Sequence, residues 1–127
     1  MLLLRRLSLA LALTTLTVAA GCGRFMHSGS DDEAQIVFVN QSLDQADVYV
    51  VTDAGQSQRI GTVFAGRTET LTVPRTVVAR GGTVNIVARL LARSLAPRTG
   101  SLTISAGQQL QVTLPPDERT LTVLPAP

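Results

Sequence analysis

Beyond residue 34 the chain runs in short apolar stretches separated by turn residues, a spacing that leaves almost no room for helices. Gln35–Asn40 and Asp47–Thr52 are rich in β-branched and aromatic residues and apolar on both faces, which predicts two central strands. The polar link between them, Gln41–Ala46, reads as a turn. Asp53-Ala54-Gly55 marks the next one, and Gln58–Phe64 follows as a third strand in which Gly61 predicts a bulge or kink. After Ala65-Gly66, Thr68, Thr70 and Thr72 alternate with Glu69, Leu71 and Val73 over Arg67–Val73, as in a strand with one wet face, and Pro74 ends it.

Thr83–Ala92, opened by Gly81-Gly82, fits two templates. With period two, Val84, Ile86, Ala88 and Leu90 point inward; with helical spacing, Val84, Val87, Ala88 and Leu91 share a face. The β-branched start and the β context select the strand, against the helix-favouring run Ala88–Arg93. Further strands are expected at about Gly100–Ser105, at Gln108–Leu114, where Leu110, Val112 and Leu114 alternate with Gln109, Gln111 and Thr113, and at Arg119–Leu124. Seven to eight short strands in about one hundred residues predict an all-β chain: a single small antiparallel β-sandwich over residues 35–127.

The first 34 residues follow a different pattern. Arg5 and Arg6 precede Leu7–Val18, an apolar stretch of Leu, Ala, Val and Thr that is too short for a stable membrane span. Small residues Ala19, Ala20 and Gly21 then lead to Cys22. This arrangement resembles the lipobox of bacterial lipoproteins. The resemblance implies a signal peptide over residues 1–21, a diacylglyceryl group on the Cys22 thiol, cleavage after Gly21, and acylation of the new amino terminus, with palmitate among the expected chains. It also implies a place in the cell envelope. Gly23, where lipoproteins retained at the inner membrane of enteric bacteria carry Asp, points to the outer membrane. Residues 22–34 then form the lipidated cysteine and a tether, poor in large apolar residues and ending in Ser30-Asp31-Asp32-Glu33. Stretched, the tether reaches roughly 40 Å. Its acidic run is read as a solvated linker and not a metal site.

Composition narrows the chemistry. Cys22 is the sole cysteine, so no intrachain disulfide stabilises the fold. The formal charge of +2 belongs to the full chain; without Arg5 and Arg6 the basic count falls from 11 to 9, against 9 acids, which gives no reason to expect nucleic-acid binding. The lone histidine, His27, lies in the tether, where no core fixes its pose, and zinc lacks His and Cys ligands. Asp44, Asp47 and Asp53 read as loop aspartates, and Gly81-Gly82 lacks the lysine and helix of a phosphate loop. No enzyme, catalytic residue, metal or cofactor is therefore expected. Phe38, Tyr49 and Phe64 are assigned to the core, leaving no exposed platform for sugars or bases.

Arginine is the remaining signal. Arg75, Arg80, Arg89, Arg93 and Arg98 fall in a stretch without an acid and form a candidate anion-binding set for lipid phosphates or an acidic glycan. The simpler reading has them capping loops and guarding an edge strand. Asp47-Val48-Tyr49-Val50 and Ser105-Ala106-Gly107-Gln108, with the strand order around them, resemble small immunoglobulin-like or transthyretin-like domains of bacterial surface lipoproteins. That likeness implies a fold and a place. Taken together, the chain is expected to be a membrane-anchored, non-enzymatic binding or structural module. Its partners would be the bilayer through acylated Cys22 and an envelope protein or an anionic glycan or lipid. The alternative is an accessory subunit that docks on an envelope assembly by strand addition or through the arginine face.

Overall fold

The computed structural model describes residues 33–79 and 81–126. The expectations for Gly21, Cys22, the tether up to Asp32, and Arg80 lie outside those residues. Eight strands and one helical turn follow in order: β1 (Ala34–Asn40), β2 (Ala46–Thr52), β3 (Ser57–Val63), β4 (Thr68–Val73), α1 (Arg75–Val78), β5 (Thr83–Leu90), β6 (Leu102–Thr103), β7 (Gln109–Leu114) and β8 (Thr122–Pro125). They build two four-stranded sheets, ordered β4-β1-β7-β8 and β3-β2-β5-β6, that pack face to face as a β-sandwich.

The two runs apolar on both faces are the inner strands expected of them: β1 lies between β4 and β7, and β2 between β3 and β5. All pairings are antiparallel except β1 with β7, which run parallel from Gln35 opposite Gln109 to Asn40 opposite Leu114. The ambiguous segment is a strand, with Val84, Ile86, Ala88 and Leu90 buried and Arg89 exposed. Side chains from both sheets fill the core, including Ile36, Phe38, Val73, Val112 and Leu114 from the first and Val48, Val50, Val63 and Ile86 from the second. Each such burial contributes about 1.5–3 kcal/mol, and the fold holds by this packing and by the backbone ladders.

Three details depart from the sequence reading. The chain turns through α1 after Pro74, whose φ of −57° suits the entry to a helix, and Val77 packs into the core beside the sheets. The strand near residue 100 shrinks to Leu102–Thr103, and the last strand starts at Thr122. Two of the three aromatic residues assigned to the core are elsewhere. Phe38 is fully buried, but Tyr49 is half-buried on the outer face of its sheet, because Val48 and Val50 point inward, and Phe64 is 61% exposed just past the end of β3.

One end of the sandwich gathers the loops at 41–45, 64–67, 91–101 and 115–121. Asn40 stitches them. Its N–H donates to the Arg67 carbonyl (2.9 Å), and its side-chain amide donates to the Asp44 (2.8 Å) and Val63 (3.0 Å) carbonyls. Its Oδ1 accepts from the Ser42 N–H (3.0 Å) and hydroxyl (2.7 Å). The chain enters at the opposite end, where Glu33 pairs with Arg75 and the Gln35 N–H donates to the Gln108 carbonyl.

Candidate functional site

Alternation along β2 sends Asp47 and Tyr49 to the outer face of the second sheet, and the flanking strands decide what surrounds them. On the β5 side, Asp47 stands opposite Arg89 and Tyr49 opposite Val87. On the β3 side the register shifts between Val48 and Tyr49: Val48 pairs with Gly61, but Tyr49 pairs with Arg59, so Ile60 is the extra residue of a bulge. Without that bulge Tyr49 would face Ile60. The slip sets an arginine beside the ring. A side chain at Gly61 would have to displace Leu71, since a Cβ there would come within 2.6 Å of Leu71 Cδ2.

A third arginine arrives from the segment after β5. Val87 and Arg98 form an isolated antiparallel bridge, held by the Ala88 N–H on the Pro97 carbonyl and the Thr99 N–H on the Ile86 carbonyl, each at 2.9 Å. Thr99 is buried, and its hydroxyl accepts from the Ile86 N–H (3.0 Å) and donates to the Gly100 carbonyl (2.8 Å). Pro97 and Thr99 thus face inward, and Arg98 faces out on the same side as Val87 and Tyr49.

The resulting face carries Arg59, Arg89 and Arg98 around Tyr49, with the single carboxylate of Asp47 among them. Arg89 lies over the Tyr49 ring with its guanidinium carbon 4.8 Å from the centroid, a cation–π geometry that keeps its planar donors toward solvent. Arg59 Nη2 donates to Asp47 Oδ1 (2.9 Å) and to the Thr62 hydroxyl, which itself donates to Asp47 Oδ1 (2.7 Å). One carboxylate shared in this way leaves a surplus of positive charge on the face. Guanidinium groups beside an aromatic ring suit a planar or tetrahedral anion, such as a carboxylate or a phosphate.

Of the arginines singled out from sequence, the described residues include Arg75, Arg89, Arg93 and Arg98, and two of these, Arg89 and Arg98, belong to this face. Arg75 is at the chain-entry end, 3.6 Å from Glu33. Arg93 is at the loop end, where Nε lies 3.2 Å from both Asp44 Oδ2 and Glu118 Oε2. Arg75 and Arg93 therefore each pair with acids at the ends of the sandwich. Arg59 and Tyr49 complete the face and were missed; the Gly after Ile60 is the signal that shifts the register. The three aspartates all have local partners: Asp44 pairs with Arg93, Asp47 with Arg59, and Asp53 accepts from the N–H (3.1 Å) and hydroxyl of Thr83. Among the described residues no group of three or more His, Cys, Asp or Glu side chains is placed to hold a metal ion.

The loop end has a second character. Leu43 (92% exposed), Leu91 and Leu95 project from its loops together with Phe64, four large apolar side chains on one end of the molecule.

No protein-family model matches the chain, and no curated protein matches it. Among solved structures, the NMR structure of a protein from Eubacterium rectale is similar at 11% sequence identity and a TM-score of 0.41; the match covers 74% of this chain and 88% of that one.

Proposed function

We propose that this protein is a membrane-anchored lipoprotein of the cell envelope, acting as a non-enzymatic binding module. The observation that carries the reading is the apolar run Leu7–Val18 closed by Ala19-Ala20-Gly21-Cys22, with the first strand starting only twelve residues after the cysteine, at Ala34. Acylated at Cys22, the chain would hold its sandwich within about 40 Å of the bilayer, with the entry end nearest the attachment. The binding surface in this reading is the face of Arg59, Arg89 and Arg98 around Tyr49, and its ligand an anionic glycan or lipid headgroup. Outer-membrane residence follows from Gly23 by resemblance. The test is fractionation of a host expressing the Cys22→Ala variant. The expected result is loss of the mature protein from the membrane fraction; a variant processed normally and kept on the membrane overturns the anchor.

A second reading, an accessory subunit of an envelope assembly, is favoured by the exposed Leu43, Phe64, Leu91 and Leu95 at the end away from chain entry and by β4, an edge strand with a regular six-residue ladder to β1. If a stoichiometric membrane partner is lost on Leu43→Asp with Leu91→Asp but kept on Arg89→Ala, this reading replaces the first.

A further inference from the structure

The loop end holds its apolar side chains outward by construction. Leu43, Leu91, Leu95 and Phe64 stand 92%, 75%, 64% and 61% exposed, and they come from the loops at 41–45, 64–67 and 91–101. Hydrogen bonds tie those loops together. The Asn40 side-chain nitrogen donates to the carbonyls of Asp44 and Val63, the residues next to Leu43 and Phe64, and the Leu91 N–H donates to the Gln45 carbonyl (3.0 Å). Arg93, between Leu91 and Leu95, closes on Asp44. The loops are thus pinned at their base, and the four side chains project from them as a group.

A projecting apolar group of this size calls for a cover, and its form indicates which. Side chains that stand this far clear of their own loops do not wall a groove for a protein segment; they suit a medium that closes around each of them. Acyl chains do that. The charges agree, since Arg67 follows Phe64 by three residues, Arg93 is two residues from both Leu91 and Leu95, and Arg119 is on the 115–121 loop of the same end, all three exposed. Of the acids on these loops, Asp44 and Glu118 meet Arg93, and Asp117 accepts from the Arg119 N–H. Arginines in this position keep their charged heads among lipid phosphates while their stems cover apolar surface. Length permits the pose. Seven-residue strands make the sandwich roughly 25 Å long. The segment from Cys22 to Ala34 reaches roughly 40 Å, so the end opposite chain entry can turn to the bilayer that holds the anchor.

We propose that this end inserts into the bilayer interface, with Leu43, Phe64, Leu91 and Leu95 among the outer acyl carbons and Arg67, Arg93 and Arg119 at the level of the phosphates. The sandwich then lies loop end down on the membrane. The inference rests on the reading of Cys22 as an anchor only for the high local concentration that an anchor gives; insertion itself needs no acyl chain. It is also separate from the arginine face, which meets anions without entering the apolar layer.

The chain contains no tryptophan, so Leu95→Trp places a single reporter at the loop end, and Ala106→Trp places one in the turn before β7, beside chain entry. Protein purified from a membrane fraction is mixed with vesicles of phosphatidylcholine and phosphatidylglycerol whose acyl chains carry bromine, a contact quencher of tryptophan. Emission from position 95 is expected to fall about twofold, and that from position 106 to stay unchanged. Leu43→Asp with Leu91→Asp, at exposed positions where the fold is not at stake, is expected to abolish the quenching, whereas Arg59→Ala with Arg89→Ala leaves it. Pelleting of the double Asp variant with the vesicles reports the Cys22 anchor by itself. An anchored protein with no quenching at position 95 overturns the insertion and returns the loop end to a protein partner. Equal quenching at positions 95 and 106, or quenching that survives the Asp pair and is lost with the arginine pair, overturns it as well. Quenching at position 95 by a protein whose double Asp variant fails to pellet removes the anchor and leaves the insertion standing.

Discussion

Arg89 and Tyr49 are joined across β5 and β2 by a ring contact of 4.8 Å, although forty residues separate them in the chain. The contact orients a charged group that would otherwise be free to sample many rotamers; Arg59 stands directly opposite Tyr49 on β3, and Arg98 lies beyond Val87 on the other side.

That arrangement sets the first expectation. Retention of the protein on vesicles rich in anionic lipid, or on an acidic polysaccharide, should fall with salt and should drop on Arg59→Ala, Arg89→Ala or Arg98→Ala. Arg75→Ala, at the other end beside Glu33, should leave it unchanged. Arg89→Lys keeps the charge without the planar stack and should fall between the two. Equal losses for Arg75 and Arg89 variants in a salt titration would dismiss the face as the binding surface.

Asn40 spends its whole side-chain amide on the loop end, two donors to carbonyls and an oxygen shared by the Ser42 N–H and hydroxyl, at 1% exposure. Asn40→Ala orphans several buried groups and should cost about 3 kcal/mol in urea unfolding. Asn40→Asp, with nearly the same shape, should be no better, because it loses both donors and brings a carboxylate to two carbonyl oxygens. A mild effect for Asn40→Asp would show that shape and not donation holds the loops.

Glu118 is buried, sits at a positive φ of 56°, and faces Arg93 at 3.2 Å. Arg93→Met leaves that carboxylate without its countercharge and should destabilise by about 1–2 kcal/mol, less than for a fully buried pair because the Arg93 side chain is 55% exposed. The double variant with Glu118→Gln should recover part of the loss. Thermal denaturation of the single and double variants checks the coupling; additive effects would mean that the two side chains do not depend on each other.

Gly61 lies at the bulge that brings Arg59 to Tyr49, under Leu71. A methyl group there must push aside a buried leucine, so Gly61→Ala should cost about 1–2 kcal/mol even after the entropy gained from losing a glycine. It should also weaken anion retention if the bulge relaxes and returns Ile60 to the position opposite Tyr49. A variant as stable as the parent in chemical denaturation would place Leu71 in looser packing than the structure has it.

Alternation was a reliable guide wherever a strand had one wet face. Val84, Ile86, Ala88 and Leu90 face inward as their spacing says, as do Leu110, Val112 and Leu114. It failed for Tyr49 because its strand is apolar on both sides, so the pattern alone could not say which side meets the other sheet. Phe64 follows the buried Val63, one step beyond the end of β3, where the chain turns away toward Ala65-Gly66. The arginine face was half legible. Arg89 and Arg98 stand out in an acid-free stretch, whereas Arg59 joins them only through a register shift between strands, a non-local event that composition does not encode. The loops at the ends were hardest to read. Their order comes from Asn40, Arg93 and Glu118 meeting across segments far apart in sequence.

The central claim, attachment through Cys22, is tested most directly by mass spectrometry of the amino-terminal peptide of the mature protein purified from a bacterial membrane fraction. The account expects a chain that starts at Cys22, with a diacylglyceryl group on its sulfur and an acyl chain on its amino group. An unmodified Cys22 thiol, in a chain that starts at another residue, would contradict it.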